Sequence, residues 1–197
     1  VRNASFTLGR ERLGIVGESG SGKSTTGRAL LGLIPQPGSV SAKKMTFCGA
    51  DLLTCGETGW RKLRGRRMTM VMQDPKYSLN PVMKVGRQIG ETCRLHLGSN
   101  AQDAQKRALA MLEAVKIRDP DRVYDLYPHQ LSGGMGQRVM IAMMLVAEPD
   151  LLIADEPTSA LDVTVQNEVL RILDDLVRGR GMGLIFISHN LTIVSSF

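Results

Sequence analysis

Residues 13–24, Leu13-Gly14-Ile15-Val16-Gly17-Glu18-Ser19-Gly20-Ser21-Gly22-Lys23-Ser24, decide how the rest of the chain is read. The first four form a short apolar run of the kind that fills a buried strand. The next eight fit G-x-x-x-x-G-K-[ST] without exception. After them, 23–33 carries alanine and leucine with few breakers and is closed by Pro35 and Pro37, which predicts a helix. Strand, glycine-rich turn and helix, in that order, is the setting in which the motif has a physical meaning. Glycines let the backbone curl until successive N–H groups point inward at phosphate oxygens, and the helix N-terminus adds positive potential. In such a loop Lys23 reaches the outer phosphates and the Ser24 hydroxyl ligates Mg²⁺.

Two further segments fit that chemistry. Leu151-Leu152-Ile153-Ala154-Asp155-Glu156 is an apolar strand ending in adjacent carboxylates, and buried acids are costly unless paired. Asp155 would hold the Mg²⁺ shell, while Glu156 would polarise a water for in-line attack on the terminal phosphate. Two solvent-facing acids at a strand end is the bland alternative, and a complete phosphate loop in the same chain weighs against it. Leu131-Ser132-Gly133-Gly134-Met135 opens a helix predicted over 136–147. Ser132 is a good N-cap, and the glycines leave N–H groups bare for an anion.

Around these the pattern alternates. Strands are expected at 68–72 and 184–188. A helix at 101–115 places Ala104, Ala108, Met111, Leu112 and Val115 on one face, and one at 164–177 does the same with Val165, Val169, Ile172, Leu173 and Leu176. The glycine- and threonine-rich stretch 38–58 reads as short edge strands and turns, and 1–8 as strand-like. Strands alternating with helices predict an α/β fold, a mainly parallel sheet flanked by helices. The expected organisation is a core of 1–76 and 136–197, with a helical subdomain, 77–135, inserted.

Composition sets outer bounds. With 43% hydrophobic and 22% charged residues, disordered and collagen-like classes are excluded. The longest apolar run, 139–147, is about half of what a membrane-spanning helix needs, so any service to a membrane is expected to be peripheral. Cys48, Cys55 and Cys93 form no C-x-x-C pair, which points to reduced thiols rather than a disulfide framework or zinc site. The net charge of +6 is densest at Trp60-Arg61-Lys62-Leu63-Arg64-Gly65-Arg66-Arg67. A solvated basic face leading into a strand is the plain reading. A nucleic-acid surface is the alternative, which interleaved aromatics would favour, and Trp60 is the single one present.

The phosphate loop, L-S-G-G and the acid-ended strand about twenty residues later together resemble the ABC ATPase superfamily. That resemblance implies a RecA-like P-loop NTPase core with an N-terminal antiparallel β part and an inserted helical signature subdomain. It makes Gln73 the Q-loop residue, Ser159-Ala160-Leu161-Asp162 the D-loop and His189 the switch histidine. ATP would be held by Gly17, Glu18, Ser19, Gly20, Ser21, Gly22, Lys23, Ser24 and Thr25. It would be closed over by Ser132, Gly133, Gly134 and Asp162 of a second ABC ATPase domain in a homo- or heterodimer. Mg²⁺ would be held by Ser24, Gln73 and Asp155, and the catalytic set would be Glu156, His189, Gln73 and Lys23.

Gln73-Asp74-Pro75 with Ser78-Leu79-Asn80-Pro81, and Tyr127-Pro128-His129-Gln130 before the signature, are similar to the peptide/nickel uptake group of ABC importers. The group implies membrane permease partners, indirectly a solute-binding protein, and a peripheral place on the cytoplasmic face of the inner membrane, with no nucleic acid. Met135 is usual for that group. Gly136 stands where a basic residue is frequent, and Asn190 where aspartate is typical. The resemblance also implies more chain upstream, with an adenine-stacking aromatic that Phe6 does not supply, and more beyond His189.

Overall fold

Four strands carry the architecture, and three of them, at 68–71, 151–155 and 183–188, bury side chains on both faces. The computed structural model describes residues 1–196, with side chains described through 195. Strand β1 (Arg12–Val16) leads through the glycine-rich loop into helix α1 (Lys23–Leu30). Then come β2 (Thr46–Phe47), β3 (Ala50–Asp51), α2 (Glu57–Leu63) and β4 (Met68–Val71). The helices α3 (Val85–Leu97), α4 (Ala101–Ala114), α5 (Pro120–Tyr124) and α6 (Gly133–Leu145) follow. The chain continues with β5 (Leu151–Asp155), α7 (Val163–Arg180), β6 (Gly183–Ser188) and α8 (Leu191–Ser196).

The main sheet runs β1-β6-β5-β4, with every pair parallel. Side chains alternate between its faces, so the strands sort into two cores. Met68, Met70, Leu151, Ile153, Ile185 and Ile187 pack with Leu31 on one face. Val71, Leu152, Ala154, Leu184 and Phe186 pack on the other with the inner faces of α3, α4, α6 and α7. Each fully buried Leu or Ile here contributes about 1.5–3 kcal/mol of transfer free energy. Helix α1 lies against the first face. A Cβ at Gly27 would stand 3.1 Å from Ile187 Cδ1, 3.2 Å from Ile153 Cγ2 and 3.4 Å from Met70 Cε. The missing side chain lets the helix, and the loop before it, sit close on the sheet.

One expectation, the antiparallel part within 38–58, is met, and two need correction. Segment 1–8 forms no strand: it is mostly exposed and unpaired with the sheet, whose edge is β1. Among the described residues the antiparallel part is the single hairpin β2–β3, closed by Cys48 and Gly49 with φ of 46° and 83°. Two left-handed residues make the primed turn that suits two antiparallel strands. The basic stretch is a solvated face only in part. It begins in α2, where Trp60 is buried, and Arg64 donates to Leu31 O at 2.7 Å and Gly32 O at 2.8 Å. Arg66 donates to Ala147 O at 2.8 Å, and Arg67 pairs with Asp150 at 2.6 Å. These guanidiniums reach partners far away in sequence, while Arg61, Lys62 and Arg66 stay exposed.

Candidate active site

In a parallel sheet whose strands all point one way, the residues just past the strand ends gather along one edge. Here β1 ends at Val16, β5 at Asp155 and β6 at Ser188, in neighbouring positions. The glycine loop, the two carboxylates and His189 are therefore neighbours, although the sequence scatters them.

The loop needs its glycines at two points. Gly20 and Gly22 have φ of 81° and 93°, a region that strains side-chain-bearing residues. Gly22 also precedes α1 without offering a side chain to cap it. The first-turn amides are left for an anion, as the loop chemistry requires. Lys23 is buried, and its Nζ donates to Gly17 O at 2.8 Å and Glu18 O at 2.9 Å. Its ammonium is thus held inside the loop, while Glu18, Ser19, Gly20 and Thr25 are exposed around it.

Ser24 Oγ donates to Asp155 Oδ1 at 2.8 Å, joining two segments that lie far apart in sequence. Asp155 is only 6% exposed. Burial pushes its carboxyl above the ordinary range, helped by the nearby Glu156 charge and opposed by the Ser24 hydrogen bond, Arg28 and Lys23. Arg28 belongs to no sequence motif. It stands one helical turn after Ser24, and that spacing could have found it. A hydroxyl and a carboxylate at this distance are hard oxygen donors. They suit Mg²⁺, which takes one or two carboxylates and completes its shell with water and phosphate. Among the described residues no group of three or more His, Cys, Asp or Glu side chains is arranged to hold a metal ion by itself.

Glu156 sits just past β5 with φ of 46°, and its N–H donates to Ile187 O at 3.0 Å. A non-glycine residue held there stores strain of about 1–3 kcal/mol, a cost found at functional sites. Its Oε1 lies 3.1 Å from His189 Nδ1. Gln73, exposed, stands two residues past the end of β4, next to β5 in the sheet. Asn190 accepts from Thr192 N at 2.9 Å and so starts α8, a job aspartate performs as well.

The signature residues lie elsewhere. Ser132 Oγ accepts from Met135 N at 3.3 Å, the N-cap expected of it. A Cβ at Gly134 would come 2.5 Å from Val165 Cγ1, and one at Gly133 3.6 Å from Leu161 Cδ2. Asp162 in turn caps α7, accepting from Val165 N at 3.0 Å. Helix α1 packs chiefly on β5 and β6, whereas α6 packs on α3, α4, α7 and β4. The 132–134 segment thus rests on the start of α7, and its tight contacts are there rather than with the glycine loop.

Comparison with known proteins gives the family. A sequence model for ABC transporters matches residues 1–159. The chain belongs to the ABC transporter family. Within that family, the dipeptide transport ATP-binding protein of Escherichia coli is 50% identical over 185 residues, which cover 94% of this chain and 57% of the relative. A peptidoglycan transport ATP-binding protein of Agrobacterium fabrum is 50% identical over 199 residues, covering 100% of this chain and 36% of the relative. The chain therefore spans little more than half of one relative and about a third of the other. A solved dimeric ATP-binding cassette, in a post-hydrolysis state with ADP and Pi, aligns at a TM-score of 0.80 and 23% identity, over 97% of this chain and 80% of its own. That likeness shows the ABC ATPase fold.

Proposed function

We propose that this chain is the ATP-binding and ATP-hydrolysing motor of an ABC importer for peptides, nickel or similar small solutes. The observation that carries the reading is the Ser24–Asp155 hydrogen bond at 2.8 Å beside the Glu156–His189 contact at 3.1 Å. One edge of the sheet thus holds a phosphate loop, a hard-oxygen pair and a positioned base. Lys23 exchanges its loop carbonyls for the outer phosphates of ATP. Ser24 and Asp155, with Gln73, would hold Mg²⁺, which would neutralise charge on the phosphate oxygens. Glu156 orients and deprotonates the attacking water, and His189 fixes that carboxylate and offsets charge at the phosphate. Catalysis is electrostatic clamping with no covalent step.

Because the 132–134 segment rests on α7, its bare helix start is free to serve a nucleotide held by another copy. We therefore assign it, with Asp162, to the ATP bound by a second ABC ATPase domain in head-to-tail pairing. The core of 1–76 and 136–197 would bind nucleotide, and the helical part of 77–135 would pass its motion to membrane permeases that receive solute from a binding protein. That arrangement places the chain peripherally on the cytoplasmic face of the membrane. Among the described residues no helix is long and apolar enough to cross one. The transported solute is set outside these residues, since relatives named for dipeptide and for peptidoglycan transport are equally similar, at 50% identity.

The test is Glu156→Gln. Hydrolysis should fall by about 10²–10⁴-fold, the contribution of a general base, while Mg²⁺-dependent ATP binding persists. Turnover near that of the parent would sink the assignment.

A further inference from the structure

Two glutamines are buried in this chain, and they are treated differently. Gln88, 6% exposed, is saturated: it accepts from Asn80 N at 2.8 Å and donates to Asn80 O at 2.9 Å and Met83 O at 2.7 Å. Gln137, 1% exposed, has an Nε2 with no hydrogen-bond partner among the described residues. A buried amide left unpaired is costly and rare enough to need a reason.

Its position supplies one. Thr69 near the start of β4 donates to Met144 Sδ near the end of α6 at 3.4 Å, and a Cβ at Gly136 would lie 3.4 Å from Pro75 Cγ. Helix α6 therefore runs antiparallel to β4, along it and past its end. Gln137 precedes Met144 by seven residues, two helical turns, so both project from nearly the same face. Those two turns span about 10.5 Å, or about three residues of extended strand. Counting three on from Thr69 puts the Gln137 carboxamide over Met72, beside Gln73. Arg138, next along, points away and ties α6 to Lys116 O at 3.1 Å and to Glu168 at 2.8 Å.

We propose that Gln137 is a positioning residue: when nucleotide closes the site, its carboxamide donates to a main-chain carbonyl in 72–74 and so sets where Gln73 stands. The inference rests on the ATPase reading above. It gives the signature helix a direct hold on the segment that carries Gln73, through a donor kept in reserve while the site is open.

Gln137→Met keeps length and flexibility and removes the unpaired donor, so the fold should tolerate it. Its melting temperature should equal or exceed the parent's, ATP affinity should be unchanged, and kcat should fall ten- to a hundred-fold, on the order of what misplacement near reacting groups costs. Because the effect acts through Gln73, the double variant Gln73→Ala/Gln137→Met should lose no more than Gln73→Ala alone. A kcat within twofold of the parent, additive losses in the double variant, a Gln73→Ala variant with undiminished turnover, or a melting temperature several degrees lower each overturns the proposal. A parent chain that fails to bind or hydrolyse ATP defeats the ATPase reading itself, a result visible without any variant.

Discussion

Asp155 is held in a way that sets stability against function, and Asp155→Asn separates the two. In the free protein its carboxylate is buried beside Glu156, with Ser24 donating to it at 2.8 Å. Asparagine is nearly isosteric, and its carbonyl oxygen accepts the same hydrogen bond. Exchanging a charged acceptor for a neutral one costs about 1 kcal/mol. Removing a buried charge with incomplete pairing returns more, since the desolvation penalty per buried ion is several kcal/mol. The net expectation is a gain of about 1–2 kcal/mol at pH 7.5, or about 2–8 °C in melting temperature for a chain of this size.

The pH dependence has a definite sign. Asp155 is raised in the folded state, so the native chain binds more protons than the unfolded one between the two values. Stability from this group is full below the ordinary aspartate value and falls as pH climbs through the raised one. The variant should lack that decline. Mg²⁺-ATP reverses the order: at a hundred times its dissociation constant it stabilises the parent by about 2.7 kcal/mol, whereas the variant, short of a metal ligand, gains far less. Thermal unfolding with and without Mg²⁺-ATP, from pH 4 to 8, reads all three effects. A variant less stable than the parent at pH 7.5 without nucleotide refutes the reasoning.

Other substitutions probe different supports. Arg64→Lys keeps the charge but loses the fork that reaches Leu31 O, Gly32 O and Glu57 and lies 5.1 Å from the centre of the Trp60 ring. Denaturant unfolding should show a loss of about 1–3 kcal/mol, with nucleic-acid retention at low salt absent from parent and variant alike. Gly134→Ala gains about 1 kcal/mol of helix propensity but drives a methyl into Val165. Stability should change by less than about 2 kcal/mol, while turnover drops and equilibrium ATP binding to the single chain stays as it was.

What could be read from the sequence follows from how local each signal is. The phosphate loop, the Ser132 cap and the face of α4 depend on neighbours within a few residues, and the structure places them as the pattern implies. The register that brings Asp155 to Ser24 is not local, yet an apolar strand ending in two acids has few other uses beside such a loop. Segment 1–8 misled because strand propensity says nothing about whether a partner strand exists, and a strand, unlike a helix, cannot satisfy its own backbone. Helix α2 and the far-reaching arginines were hidden by composition. Charge suggests solvent, but long guanidinium side chains bury their stems and reach main-chain carbonyls far away in sequence. The reserve donor on Gln137 and the left-handed backbone of Glu156 leave no trace in residue type at all.

The strand order has a consequence for synthesis. Among the described residues, the first strand of the sheet pairs solely with the last, β1 with β6. At about 5–20 residues per second, the ribosome makes the phosphate loop roughly 10–35 s before the strand that seats it. During that interval the side of β1 that β6 will cover stays unpaired. The part of the chain that will grip nucleotide is thus born early and completed late, and its safe passage depends on how quickly the closing strand arrives.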